Sequence, residues 1–358
     1  MTHRTTATVE ALDVSAASAA QSAPRGRPIS VRAAGLVAAV ALLVVLALAS
    51  IAFGAKVIPL HEVAHALLQG SRTDDDLVIT GLRVPRTLLG ILVGAALGGS
   101  GAIIQAFTRN PLADPGILGV NAGSAFAVTL GIGFLGLTSI GQYLWLALAG
   151  AAAATLAVYV IGAASRTGAS PVRMTLAGVG LAAVLGGITS GITLSNPTIF
   201  QSMLSWSAGS LTGPPLATVA VIAPFVGAGL VLGAAITRPL NALALGDDLA
   251  AALGSRARVT RTAAVIAVTL LSGAATAAAG PIGFVGLMIP HLARWITGPD
   301  QRWIFAYTLV LGPCLLLASD VLGRIAMRPA ELPVGIVTAF VGAPVLIILA
   351  RRAKASAL

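Results

Sequence analysis

Residues 115–165 read PGILGVNAGSAFAVTLGIGFLGLTSIGQYLWLALAGAAAATLAVYVIGAAS, 51 residues without one charged side chain. A helix needs about 20 apolar residues to cross the roughly 30 Å hydrocarbon core of a bilayer. The stretch is long enough for two such helices, with a break near 136–142 where Gly136, Ser139 and Gly141 cluster. Strands of a membrane barrel would alternate in polarity over about ten residues, and this stretch does not alternate. It is read as two membrane helices.

The pattern continues in both directions. Uncharged runs cover 33–55, 87–108, 174–237, 262–293, 303–319 and 332–350. Dividing the long runs at their polar or Gly-Pro points predicts ten spans, near 33–55, 87–108, 117–136, 141–162, 174–194, 215–236, 261–279, 283–297, 303–320 and 333–350. The expected fold class is therefore an all-α membrane protein with about ten transmembrane helices. Composition agrees: 57% of the 358 residues are hydrophobic and 9% charged, with a mean hydropathy of +0.94, whereas soluble proteins carry about 25% charged residues. The single cysteine, Cys314, excludes an intramolecular disulfide framework and a cysteine-based metal cluster.

The net charge of +10 is a topology signal rather than a nucleic-acid footprint. Ten spans put both termini on one side. That side receives 16 of the 22 basic residues; the other receives only Lys56, Arg72, Arg83, Arg86, Arg324 and Arg328. The positive-inside rule then places both termini in the cytoplasm. Residues 1–32, rich in Ala, Ser and Thr, are expected to be a disordered cytoplasmic tail ahead of a polytopic membrane domain at 33–352, with a second short cytoplasmic tail at 353–358.

Two loops stand out. The cytoplasmic connection at 238–261, RPLNALALGDDLAAALGSRARVTR, has a helical pattern through Leu240, Leu243, Leu245, Leu249 and Leu253, punctuated by Gly246 and Gly254. Asp247 and Asp248 suit the start of a second short helix, where negative charge meets the helix dipole. On chemistry alone it is either an amphipathic helix on the membrane surface or a docking helix for a cytoplasmic partner. The outer loop at 56–86 holds HEVAH, with His61, Glu62 and His65 spaced as in zinc proteases. The plainer reading is a short amphipathic surface helix with incidental histidines. The tempting third ligand, Asp114, falls on the opposite side of the membrane, so no metal site is expected. Arg83, Arg86 and Arg324 sit on the outer side against the charge trend, either as interface anchors or as a basic docking patch.

Within the spans, Gly94, Gly98 and Gly101, then Gly119 and Gly123, then Gly178, Gly186, Gly187 and Gly191 repeat at spacings that let helices pack closely. Carboxylates marking proton or sodium coupling are missing from the span interiors; Asp320 is placed at a span end. A secondary carrier is thereby disfavoured, and with no G-x-x-x-x-G-K-[ST] motif any driving ATPase is a separate chain.

Four segments together carry a resemblance: RVPRTLLGILVGAALGGSGAIIQAFTRNPLADPGILGVNAGSAFAV (83–128), MTLAGVGLAA (174–183), GPIGFVGLMIPHLARWITG (280–298) and ELPVGIVTAFVGAPVLIILARR (331–352). In order and spacing they resemble the FecCD-type permease subunits of iron–siderophore, haem and vitamin B12 ABC importers. The resemblance covers about residues 33–352 and implies a type II ABC importer permease in the plasma membrane. It also implies pairing with an identical or paralogous second permease, two cytoplasmic ATPase subunits that bind the ATP, and an extracytoplasmic binding protein that delivers a ferric siderophore, with haem or cobalamin as alternatives. It implies no catalytic residues and no cofactor of its own.

The resemblance also assigns residues. Leu240, Leu243, Leu245, Gly246, Asp247, Asp248, Leu249, Leu253 and Gly254 match the coupling helices that meet the ATPases. Arg83, Arg86 and Arg324 match arginines that receive the binding protein. Asn110 and Leu112, with Ser170, Pro171 and Val172, match the cytoplasmic gate, although the vitamin B12 permease has small hydroxyl residues where this chain has Pro171 and Val172.

Overall fold

The structure is a computed structural model, and it describes residues 28–54, 58–69, 73–164, 171–213, 215–252, 254–327 and 330–355. Among the described residues all regular structure is helical. The ten expected spans correspond to α1 (Ile29–Ala52), α4 (Val84–Thr108), α5 (Val120–Leu135), α6 (Ile140–Ala163), α7 (Pro171–Ser195), α9 (Leu216–Ala244), α11 (Ala257–Ala279), α12 (Val285–Thr297), α13 (Gln301–Ala326) and α14 (Val334–Ala355). Short helices α2 (Leu60–Gln69), α3 (Asp74–Val78), α8 (Pro197–Ser207) and α10 (Asp247–Ala252) fill the connections. Among the described residues seven helices, counting α3 and α4 as one segment, are individually long and apolar enough to cross a bilayer. Irregular backbone is not tolerated against lipid, which is why the apolar runs resolve into helices throughout.

Several boundaries differ from expectation. α1 begins at Ile29 and α14 reaches Ala355, so both run into the assigned tails; residues 1–27 lie outside the described residues. α9 continues to Ala244, placing Arg238 within it, and α13 continues to Ala326, placing Asp320 and Arg324 within it. The polar stretch after span 5 contains α8, which the apolar count missed. Its start is written locally: Asn196 caps the helix, its Oδ1 accepting from the Thr198 amide at 2.9 Å, and Pro197 occupies the first turn.

Two spans are short. α5 has 16 residues and α12 has 13, about 24 and 20 Å long. Each follows a stretch of irregular backbone. Before α5, Asp114 caps the 3₁₀ turn Pro115–Leu118 and Gly119 takes φ +78°. Before α12, Phe284 sits at φ +69°, unusual for a bulky residue. Its ring fills the space that a side chain at Gly342 of α14 would occupy.

α4 is the central helix. Of the apolar window ending in α4, 83% is buried inside the chain, against 6% for α7. Gly94 and Gly98 bring α4 against the backbone of α13 at Gly312, Pro313 and Thr308, and Gly101 meets Gly286 of α12. Gly123 likewise meets Gly150 of α6. Gly186, Gly187 and Gly191, expected to pack, face open space on α7. Their small size leaves room on the face that the chain leaves bare.

Candidate functional site

At one end of the bundle, a π turn (Ile79–Arg83) joins α3 to α4 and turns Arg83 and Arg86 towards α1 and α13. Arg86 straddles Asp320: Nε lies 3.0 and 3.2 Å from its two oxygens and Nη2 lies 2.7 Å from Oδ1. Arg86 Nη1 donates to Glu331 at 2.6 Å. Arg324, one turn after Asp320, donates to its other oxygen at 2.6 Å. Arg324 also donates to Ser50 O and Phe53 O at 2.8 Å, and Arg83 to Ile51 O and Ala52 O at 2.7 and 2.8 Å. These carbonyls lie at the negative end of the α1 dipole, where the helix itself supplies no donors; Ala52 O also accepts from the Ile58 amide at 3.1 Å. Ser50 Oγ bridges Arg324 and Thr87. Gly54 leaves room for the Arg83 guanidinium, which a side chain there would strike.

The structure thus brings Arg83, Arg86 and Arg324 together but turns them inward. Arg83 is 6% exposed and Arg324 is 2% exposed. The open members of the cluster are Glu331 and Thr212, whose hydroxyl points at the Glu331 carboxylate.

At the other end, α4 stops at Arg109, which takes the left-handed conformation. Asn110 and Leu112 form an exposed turn in which Asn110 Oδ1 accepts from the Leu112 amide at 2.9 Å. Burial pushes the Asp114 carboxyl above the usual range, partly offset by the Gly116 amide bonded to it. The turn after it rests on α7, where Ile117 O fills the space at Gly178. Pro171 opens α7 and Val172 is exposed beside it; Ser170 lies outside the described residues.

The segment at 238–261, expected to couple to the ATPases, divides sharply. Leu240 and Leu243 are buried in the last turns of α9, while Leu245 and Leu249 are exposed. Gly246 at φ +111° turns the chain into α10, where Asp248 is exposed, and Gly254 at φ +77° turns it out again. Asp247 starts α10; Leu253 lies outside the described residues.

Sequence reasoning missed three polar ties. Asn241 Nδ2 donates to Asp300 at 2.8 Å and its Oδ1 accepts from the Gln301 amide at 2.9 Å, fixing the end of α9 to the start of α13. Gln105 reaches Leu287 O at 3.0 Å and accepts from Arg294 at 3.4 Å. Thr276 donates to Asn121 at 2.9 Å. A cavity of about 300 Å³ between α7 and α8 is lined by Thr189, Ser190, Thr193, Phe200 and Met203, among others. The Thr189 and Thr193 hydroxyls have no partner among the described residues.

HEVAH forms α2, with Val63 and Ala66 packed on Ile58 and Ile79. His65 lies 3.9 Å from Asp76, while Asp114 lies beyond the far end of α4, about 37 Å of helix away. Among the described residues no three His, Cys, Asp or Glu side chains gather as a metal site.

Comparison with known proteins gives a family model, the FecCD transport family, matching residues 42–352. The ferric enterobactin transport system permease protein FepD of Escherichia coli (strain K12) is 48% identical, covering 87% of this chain and 93% of that protein. The iron(3+)-hydroxamate import system permease protein FhuB of Bacillus subtilis (strain 168) is 40% identical, covering 89% and 83%. Among solved structures, a metal-chelate type ABC transporter in an inward-facing conformation superposes with a TM-score of 0.76 at 28% identity, covering 88% of this chain and 98% of that one.

Proposed function

The chain belongs to the FecCD transport family, and from that membership and the geometry above we propose that it moves ferric siderophores through the plasma membrane. It is a multi-pass permease subunit of an ABC importer. The observation that carries the substrate class is the 48% identity with the ferric enterobactin permease over 87% of the chain. Both termini lie in the cytoplasm on this reading, supported by the distribution of basic residues. The permease needs no cofactor; two separate ATPases bind the ATP.

α7, the helix most exposed by its own chain, offers the face for a second permease. Between the two runs a path lined by Ser, Thr and Gly. Gly186, Gly187 and Gly191, which face open space, and exposed Ser190 suit it: they give a bulky chelate weak contacts from which it can leave. Asn110, Leu112, Pro171 and Val172, with Ser170, would close the path at its cytoplasmic end.

Force enters at α10. Leu245 and Leu249, exposed on either side of the Gly246 turn, form the apolar contact for an ATPase groove, flanked by Asp248. Closure of the ATPases on ATP pushes α10 and the overhang of α9. Asn241 hands that displacement to α13 through Asp300. α13, 26 residues and about 39 Å long, ends in the Asp320–Arg324 cluster. Rigid-body rocking of such a helix links the two ends of the protein. On the outer face Arg83, Arg86 and Arg324 serve docking by holding α1, α4 and α13 in register, while Glu331 and Thr212 stand at the open rim.

The experiment is uptake of radiolabelled iron from a panel of siderophores in a deletion strain and its complemented parent, with haem and cobalamin run beside it. Loss of one ferric siderophore, restored by complementation, supports the reading. Loss of haem or cobalamin alone keeps the permease and moves the substrate. No loss of any ligand, with paralogues also deleted, overturns it.

A further inference from the structure

Away from the two ends and from α7, the membrane-facing side carries a groove of about 380 Å³ between α6 and α11. Leu156 and Tyr159 of α6 and Thr262, Ile266, Thr269 and Leu270 of α11 line it. Its hydroxyls are occupied within the helices. Tyr159 and Thr262 bond to each other at 2.9 Å, Thr262 to Arg258 O at 3.1 Å, and Thr269 to Val265 O at 2.8 Å. The walls therefore ask nothing polar of an occupant, and Leu156 and Ile266 are open to it. From Thr262 to Leu270 the groove runs about 12 Å along the helix, the reach of roughly half an acyl chain.

One end differs in kind. Arg258 is exposed and precedes Thr262 by four residues, so it stands on the same stripe of α11 one turn beyond the groove. Arg256, also exposed, lies at the same helix start. Helical side chains lean towards the N-terminus, which carries the Arg258 guanidinium outward to headgroup level. An apolar slot closed by a hydroxyl pair and surmounted by a cation matches a lipid whose headgroup is anionic. A zwitterionic headgroup would set its own ammonium against the arginines.

We propose that the α6–α11 groove binds one acyl chain of an anionic glycerophospholipid of the cytoplasmic leaflet, with Arg258 on the phosphate. The leaflet rests on the orientation proposed above; the groove and its preference for negative charge do not.

The test is native mass spectrometry of the detergent-purified chain titrated separately with phosphatidylglycerol and phosphatidylcholine. One basic residue at a membrane surface is worth about fivefold in affinity for anionic lipid. Phosphatidylglycerol is expected to bind about fivefold more tightly, and Arg258→Gln to abolish that difference. Ala152→Phe, which fills the groove, is expected to weaken both lipids. Equal affinities in the wild type, or a preference that survives Arg258→Gln, would overturn the proposal, as would a second copy of the chain occupying the groove in place of lipid. If a variant fails to fold, Leu156→Trp in the assembled importer replaces it. Its fluorescence should be quenched more by brominated phosphatidylglycerol than by brominated phosphatidylcholine, and equal quenching counts against the site. A cysteine at Ala257 labelled by impermeant maleimide in inside-out vesicles supports the leaflet. Labelling only from the outer side overturns the orientation and leaves the lipid result standing.

Discussion

Arg86 and Asp320 are 234 residues apart in sequence and joined at 2.7 Å. They tie the start of α4 to the end of α13, the two helices that Gly94 and Gly98 bring into backbone contact further along. Asp320 is fully enclosed and serves Arg324 as well. Three guanidinium groups thus share two carboxylates and four carbonyls at the end of α1, those of Ser50, Ile51, Ala52 and Phe53. Burying ions is costly, and such a cluster holds only while every member is paired.

Removing Asp320 should therefore be severe. Asp320→Ala leaves two buried arginines facing each other, with an expected loss of about 3–5 kcal/mol. Glu331→Gln, at the partly exposed edge, should cost under about 1 kcal/mol. Thermal unfolding of the purified permease reads both. Equal effects would mean that the cluster is not held through Asp320.

The glycines divide into two testable sets. Gly94→Val and Gly101→Val place atoms inside the backbone of α13 and α12. They should abolish the monodisperse folded protein, because membrane helices gain their association chiefly from close packing. Gly187→Ala meets nothing and should leave folding of the single chain intact. Yield and elution profile in detergent separate the cases.

The ten spans were legible because lipid admits few charges, so uncharged runs announce themselves. α8 was hidden inside a polar stretch, although Asn196-Pro197 marked its start. The inward turn of Arg83 and Arg324 was not legible. Their acceptors are the α1 carbonyls, which leave no mark in the sequence, and a carboxylate that the ninth span's apolar count cut off at its end. The Asn241–Asp300 tie was invisible for the same reason: two common polar residues, 59 positions apart, have no pattern until the helices meet. The leucine pattern at 240–253 announced helix, but only the fold sorts Leu240 and Leu243 inward from Leu245 and Leu249 outward.

Asp114 should make stability depend on pH in the less common direction. Burial raises its pKa in the folded state. The stability it contributes is then present below its unfolded value of about 3.9 and is lost as pH rises through the higher folded value. Asp114→Asn keeps an acceptor for the Gly116 amide and removes the buried charge, so it should gain on the wild type as pH rises from about 4 to 7. Asp114→Ala forfeits the cap and should lose about 1 kcal/mol. Unfolding curves across that range decide; a wild type that gains on Asp114→Asn with rising pH would refute the sign.

Asn241 and Leu249 should fail in different ways. Leu249→Glu puts a charge on the exposed apolar surface of α10, so the ATPases should no longer co-purify and uptake should vanish with them. Asn241→Ala leaves that surface untouched. It removes the two hydrogen bonds between α9 and α13, one of them to a carboxylate, worth about 1.5–3 kcal/mol. The ATPases should stay bound and hydrolyse ATP, while siderophore uptake per ATP falls about fivefold or more. In proteoliposomes both rates can be measured on one preparation. Uptake and hydrolysis falling together would place Asn241 with the docking surface. Uptake falling alone would make the Asn241–Asp300 contact the point where motion at the ATPases enters α13.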